Sequence, residues 1–86
     1  MKRVTIYTRA ACGYCIRAMQ LLKQKGAPLD RIEVGFDRLK KQEMIQRSNG
    51  RTTFPQIFIG DQHIGGSDEL AALERSGKLD PMLRAA

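Results

Sequence analysis

Val4-Thr5-Ile6-Tyr7-Thr8-Arg9-Ala10-Ala11-Cys12-Gly13-Tyr14-Cys15 decides the reading of this chain. Its first five residues alternate and are rich in β-branched side chains, which predicts a strand. Beyond Cys12, the residues Cys15, Ala18, Met19 and Leu22 fall at i, i+3, i+4 and i+7, one face of a helix. Gly26, followed two residues later by Pro28, is a helix stop. Ile32-Glu33-Val34 alternates again and predicts a second strand. Strand, helix and strand in about 30 residues make a βαβ unit, so the two strands are expected to be parallel with a right-handed crossover.

Outward from this unit the punctuation continues. Asp37 is placed to cap a second helix running to about Arg47, with Leu39, Met44 and Ile45 as its only apolar positions, and Ser48-Asn49-Gly50 closes it. Gln56-Ile57-Phe58-Ile59, Gly60-Asp61 and Gln62-His63-Ile64 read as strand, turn and returning strand. Gly65-Gly66 leads to Ser67, the expected N-cap of a helix carrying Leu70 and Leu73 that stops at Gly77. Leu79-Asp80-Pro81-Met82-Leu83 is expected to add a last turn. The result is an α/β fold, a four-stranded mixed sheet flanked by three or more helices. Its 86 residues suit a single domain, 1–86. Met19, Met44 and Met82 read as core fillers.

Composition narrows the function. Fifteen Lys and Arg against nine Asp and Glu give a net charge of +6, which suits an anionic partner or simply keeps a small protein soluble. A nucleic-acid module is expected to cluster basic residues and interleave aromatics for stacking. Here the basic residues are scattered and aromatics are only 6%, which argues against one. No apolar run approaches a membrane span, and the start lacks the apolar stretch of a signal peptide, so a cytoplasmic location is expected. Two cysteines are too few for a disulfide framework and half of a four-cysteine zinc site, with His63 the only histidine.

The pair Cys12 and Cys15 therefore reads as chemistry. At a helix start, free N–H groups and the helix dipole favour a thiolate. One turn brings Cys15 beneath Cys12, within disulfide reach, and Arg9 adds a cation. Cys12 is expected at the surface and Cys15 deeper. A C-x-x-C after the first strand of a βαβ unit is thioredoxin-like redox chemistry, and the rival is a buried or half-zinc pair. Phe54-Pro55 places a proline at a strand start, where by itself it reads as a trans bond. Gly65-Gly66-Ser67-Asp68 would aim N–H groups at a carboxylate, or be no more than a turn and a cap. His63 reads as a half-exposed hairpin residue. Tyr14 reads equally as a ligand contact and an exposed lid.

In order along the chain, Tyr7-Thr8-Arg9, Cys12-Gly13-Tyr14-Cys15, Arg51-Thr52-Thr53-Phe54-Pro55-Gln56-Ile57-Phe58-Ile59, His63-Ile64-Gly65-Gly66-Ser67-Asp68-Glu69-Leu70 and Leu79-Asp80-Pro81 resemble a glutaredoxin, nearest the small bacterial dithiol type. The resemblance implies a thioredoxin-like fold and glutathione-dependent thiol–disulfide exchange. Cys12 matches the nucleophile and Cys15 the resolving cysteine. Pro55 matches a cis-proline, which sets Phe54 beside the pair so that its backbone meets the cysteine residue of glutathione. Arg9, Tyr14, Thr53, Phe54, Pro55, Ser67 and Asp68 form the implied glutathione site. Ser67 and Asp68 hold the γ-glutamyl end, and Arg9 stands where a lysine usually meets the glycyl carboxylate. Lys40, Lys41 and Arg47 are either a solvated helix face or a further contact for that carboxylate.

Glutathione is thus the expected co-substrate, with no cofactor or metal required. The implied partners are glutathionylated or disulfide-bonded proteins, ribonucleotide reductase among the candidates, acting on a monomer away from membranes. Three residues depart from the family pattern: Gly13 replaces a proline, Phe54 a valine and Ser67 a common cysteine. Gly13 keeps open an alternative function. Two chains would share a [2Fe–2S] cluster held by each Cys12 and two glutathiones, in a minor dimeric state. A donor reduced by thioredoxin reductase is the nearer rival, against which Arg9 and Ser67-Asp68 argue.

Overall fold

In the computed structural model, which describes residues 1–84, the chain runs β1 (Val4–Thr8), α1 (Gly13–Gln24), β2 (Leu29–Glu33), α2 (Arg38–Arg47), β3 (Gln56–Ile59), β4 (Gln62–Gly65), α3 (Ser67–Arg75) and α4 (Leu79–Arg84). The sheet order is β2-β1-β3-β4. β1 pairs parallel with β2 and antiparallel with β3, and β3 pairs antiparallel with β4. The expected βαβ unit, hairpin and mixed sheet are all present.

Alternation along β1 and β3 builds two cores, one on each face. Val4, Ile6, Ile57 and Ile59 pack with Leu22 of α1, Leu70 of α3 and Leu79 and Leu83 of α4, and the partly buried Met19 and Met82 join them. Tyr7 and Phe58 face the other way and pack with Val34 and Met44 of α2. α2 contributes little else to the core. It holds its place partly through its N-cap, where Asp37 Oδ1 accepts from the N–H groups of Leu39 and Lys40 at 3.0 and 3.1 Å.

Two expectations need correction. β2 begins at Leu29 rather than near Ile32, because its ladder with β1 starts at Val4↔Leu29. As an edge strand it leaves Asp30 and Arg31 in solvent, which hides it from a search for alternation. The N-cap of α3 is Gly66, not Ser67. The tail forms a six-residue helix, α4, and the Lys2 N–H donates to the Leu83 carbonyl at 2.8 Å.

Strand direction positions the site. β1 and β2 end, β3 begins and β4 ends at the same edge of the sheet, as the pairs Thr8↔Glu33, Tyr7↔Gln56 and Ile57↔Gly65 require. Four connections therefore converge there: residues 9–12, 34–37, 48–55 and the start of α3.

Candidate active site

Cys12 is the N-cap of α1, with extended backbone, and its Sγ accepts from the Cys15 N–H at 3.2 Å. The two cysteines are joined as a disulfide, with Cα atoms 5.2 Å apart. The first turn of α1 holds no acidic residue to oppose a negative charge on sulfur. Cys12 is 7% exposed and Cys15 1%, so the expected order stands but the expected surface sulfur does not. In the oxidised pair the Cys12 Sγ is engaged by its disulfide partner and by the Cys15 N–H.

Phe54-Pro55 is a cis peptide bond, as the resemblance implies and proline frequencies alone do not. Thr53, just before it, is held from behind. Its carbonyl and hydroxyl both accept from Nε2 of the fully buried Gln56, at 2.9 and 3.1 Å. Oε1 of Gln56 lies 2.7 Å from His63 Nε2, and with the Gln56 amide donating to Thr53, His63 is the donor in this bond. Burial, then the positive Arg51, lower the His63 pKa from its ordinary value, partly offset by Glu69. His63 thus serves as a half-buried donor that steadies Thr53.

Five of the seven residues expected at the glutathione site line one groove of about 350 Å³: Tyr14, Thr53, Phe54, Ser67 and Asp68. Pro55 is buried beside it, with its carbonyl against Gly66. Arg9 is not in this groove. It lies across Phe54, its guanidinium 5.7 Å from the ring centroid, in a second cavity of about 340 Å³ that Phe54 and Lys41 also line. Phe54 is thus the partition between two cavities.

The second-helix cations separate in the same way. Lys41 reaches the Arg9 cavity and Lys40 is exposed. Arg47 is exposed, and its guanidinium also has protein partners: it lies over the Phe58 ring at 4.3 Å and donates to the Tyr7 hydroxyl at 2.8 Å. Its guanidinium edges the second core while the side chain keeps contact with solvent.

Arg51, Gly66 and Glu69 also line the groove; Gly66 belongs to the expected carboxylate-facing turn, whereas Arg51 and Glu69 were given no role from sequence. Glu69 Oε1 accepts from the Gly66 N–H at 2.8 Å and from Arg51 Nη1 at 2.6 Å. One carboxylate therefore caps α3 and ties residues 48–55 to it. Gly65, at φ +118°, leaves room for that carboxylate, which a Cβ would strike. The available signal was a glutamate three residues after a glycine N-cap, the acidic half of a capping box. The Gly66 N–H, then Arg51, hold the Glu69 carboxyl below its usual range.

A redox-capable cysteine pair at the first helix start, beside a cis-proline on a four-stranded mixed sheet, defines the thioredoxin-like class of thiol–disulfide oxidoreductases. Comparison with known proteins narrows the class. The glutaredoxin family model matches residues 4–64. Glutaredoxin 3 of Escherichia coli K12 is 51% identical over 84 residues, 98% of this chain and 100% of that protein. The solution structure of a Brucella melitensis glutaredoxin superposes with a TM-score of 0.84 at 51% identity, covering 98% of this chain and 90% of that one. A buckwheat glutaredoxin–glutathione complex gives 0.83 at 36% identity, covering 95% and 76%. The chain belongs to the glutaredoxin family and is a glutaredoxin-type oxidoreductase. Among the described residues, no helix is long and apolar enough to cross a membrane, and no group of three or more His, Cys, Asp or Glu could hold a metal ion.

Proposed function

We propose that this chain reduces protein–glutathione mixed disulfides, with glutathione as its electron donor. The observation that carries the reading is the pair of spaces flanking Phe54 beside the Cys12–Cys15 pair. Glutathione is an extended tripeptide with a charged group at each end. The start of α3 offers free N–H groups to the γ-glutamyl carboxylate, and the Asp68 carboxylate suits the adjacent ammonium. Across Phe54, Arg9 and Lys41 suit the glycyl carboxylate. The backbone of Phe54 lies between these ends, where it pairs with the central cysteine residue as an added strand. A buckwheat relative crystallised with glutathione supports the same ligand here.

In the reduced state, the start of α1 favours the Cys12 thiolate. That thiolate attacks the glutathione sulfur of the mixed disulfide. The bond between glutathione and the protein breaks, and the protein leaves as a thiolate that takes up a proton. Cys12 then carries glutathione. A second glutathione thiolate attacks the Cys12-bound glutathione sulfur, releasing glutathione disulfide and restoring the Cys12 thiolate. Alternatively Cys15 attacks Cys12, releasing glutathione and leaving the Cys12–Cys15 disulfide. Glutathionylated proteins, and disulfide-bonded ones that need both thiols, are the proposed substrates, with ribonucleotide reductase one candidate among the latter.

Oxidation of NADPH coupled through glutathione reductase tests the reading. Turnover is expected with glutathione and glutathione reductase, and not with thioredoxin reductase alone. The reverse outcome would reassign the electron donor.

The cluster-bridged dimer remains a second reading, favoured by Gly13, which is exposed and has open space around it. One chain does not supply the four thiolates a [2Fe–2S] cluster needs, but two Cys12 thiolates and two glutathiones would. Anaerobic reconstitution with iron, sulfide and glutathione should give a coloured dimer that is lost in Cys12→Ser. A colourless monomer would remove this reading.

A further inference from the structure

Phe36 is wholly exposed, at 105%, and Leu39, three residues on, is 78% exposed. Phe36 sits just before Asp37, the N-cap of α2. An apolar residue at that place often packs against the fourth helical residue as a staple. Here the fourth residue is Lys41, and Phe36 joins neither core. The fold makes no use of this ring. Its position is nonetheless defined, because Phe36 borders the cavity that Arg9, Lys41 and Phe54 line, at the sheet edge that carries Cys12.

The electrical surroundings are one-sided. α2 carries Arg38, Lys40, Lys41 and Arg47 against the single acidic Glu43, and Arg9 adds a further cation at the cavity. The neighbouring Asp37 carboxylate is turned to the N–H groups of Leu39 and Lys40. A second copy of the chain fits such a face poorly, since a two-fold contact would set these cations against their own copies. An acidic partner with an apolar side chain fits it well.

We propose that Phe36 and Leu39, rimmed by Arg38 and Lys40, dock the polypeptide half of the substrate. They take an acidic and an apolar side chain flanking the modified cysteine. The inference rests on the glutathione reading: the glycyl end of glutathione takes the Arg9–Lys41 side of the cavity that Phe36 borders, and the peptide takes the exposed outer surface of Phe36 and Leu39. The two halves of a mixed disulfide are joined at sulfur, so the peptide is delivered to the edge of the glutathione site. Phe36 and Leu39 then supply apolar contact, and the cations select the charge of the segment.

The test uses the full chain and three substrates: the mixed disulfide of glutathione with cysteine, a glutathionylated peptide with Glu and Leu flanking its cysteine, and one with Lys and Gly there. Wild type should favour the acidic, apolar peptide by about tenfold in kcat/KM, a factor within reach of one apolar contact and one ion pair. Leu39→Ser should lose most of this preference while turning over the glutathione–cysteine disulfide as wild type does. Phe36→Ser should lose the preference also. Lys40→Glu should shift it toward the lysine peptide. All three side chains are exposed, and thermal melts of the variants verify that the fold is kept.

Failure to turn over the glutathione–cysteine disulfide would count against the glutathione reading. Turnover of it with no preference between the peptides, or a preference that survives Phe36→Ser and Leu39→Ser, would overturn the docking site alone. Binding of wild type to vesicles of anionic phospholipid, lost in Phe36→Ser, with no peptide preference, would also overturn it, assigning the face to a membrane surface instead.

Discussion

Replacing Glu69 tests how the groove is held together. Its carboxylate does two jobs through one oxygen, accepting from the Gly66 N–H at 2.8 Å and from Arg51 at 2.6 Å. The first resembles a helix cap, and losing such a bond costs about 0.5–2 kcal/mol. The second joins side chains that are 44% and 41% exposed, so solvent screening limits it to about 0.2–1 kcal/mol. Glu69→Ala should therefore cost about 1–2 kcal/mol at pH 7, lowering Tm by roughly 4–16 °C for a domain of this size. Glu69→Gln keeps an acceptor for Gly66 and loses the charge, so it should cost about half as much. The pH dependence follows from the depressed carboxyl pKa, whose causes are the Gly66 N–H first and Arg51 second. Such a group stabilises the fold above the ordinary glutamate range, about 4.3, and the stabilisation is lost as pH falls through the lower folded value. Urea unfolding followed by circular dichroism, at pH 7 and in stepwise acid, should show the gap between wild type and Glu69→Gln closing below about pH 4. A Glu69→Gln chain as stable as wild type at pH 7, or a gap unchanged in acid, would refute this account.

Other perturbations address the chemistry and the walls of the site. Cys12→Ser should abolish reduction of a glutathione mixed disulfide, whereas Cys15→Ser should retain much of it and lose reduction of protein disulfides; equal losses on a glutathionylated substrate would contradict the assigned roles. Because Arg9 is exposed, the proposed contact with the glycyl carboxylate would be worth about 0.2–1 kcal/mol. Arg9→Ala should raise the KM for glutathione substrates by up to about fivefold, with little change for a small disulfide lacking glutathione. Gly65→Ala places a Cβ against the Glu69 carboxylate at φ +118°; it should lower stability by about 1–3 kcal/mol, and an unchanged Tm would show that the start of α3 adapts freely.

Much of this architecture is legible in local pattern. β1, the cysteines at the start of α1 and the β3–β4 hairpin are each written in a few adjacent residues. β2 is not, because an edge strand with Asp30 and Arg31 in solvent lacks the alternation that burial imposes on a strand. Ser67 looks like a cap because serine is a good one, yet the cap comes from Glu69 reaching back to Gly66. The Arg51–Glu69 pair spans 18 residues and the Arg47–Tyr7 bond spans 40. No local pattern distinguishes a cation committed to such a partner from one left in water. The cis bond before Pro55 belongs to the same group: composition favours trans, and the ordered resemblance along the chain pointed the other way.

The bond from Lys2 to Leu83 sets the two ends of the described chain side by side. β1 starts at the edge of the sheet remote from Cys12, so this junction lies away from the reactive sulfur. A short peptide bridging residues 84 and 2 would close the chain into a ring without crossing the groove. New termini could then be opened at Gly60-Asp61, the β3–β4 turn on the same remote edge. Neighbouring ends of this kind are what circular permutation exploits. The same geometry would let a fluorescent reporter be joined beside residue 2 or residue 84, away from the edge that carries Cys12.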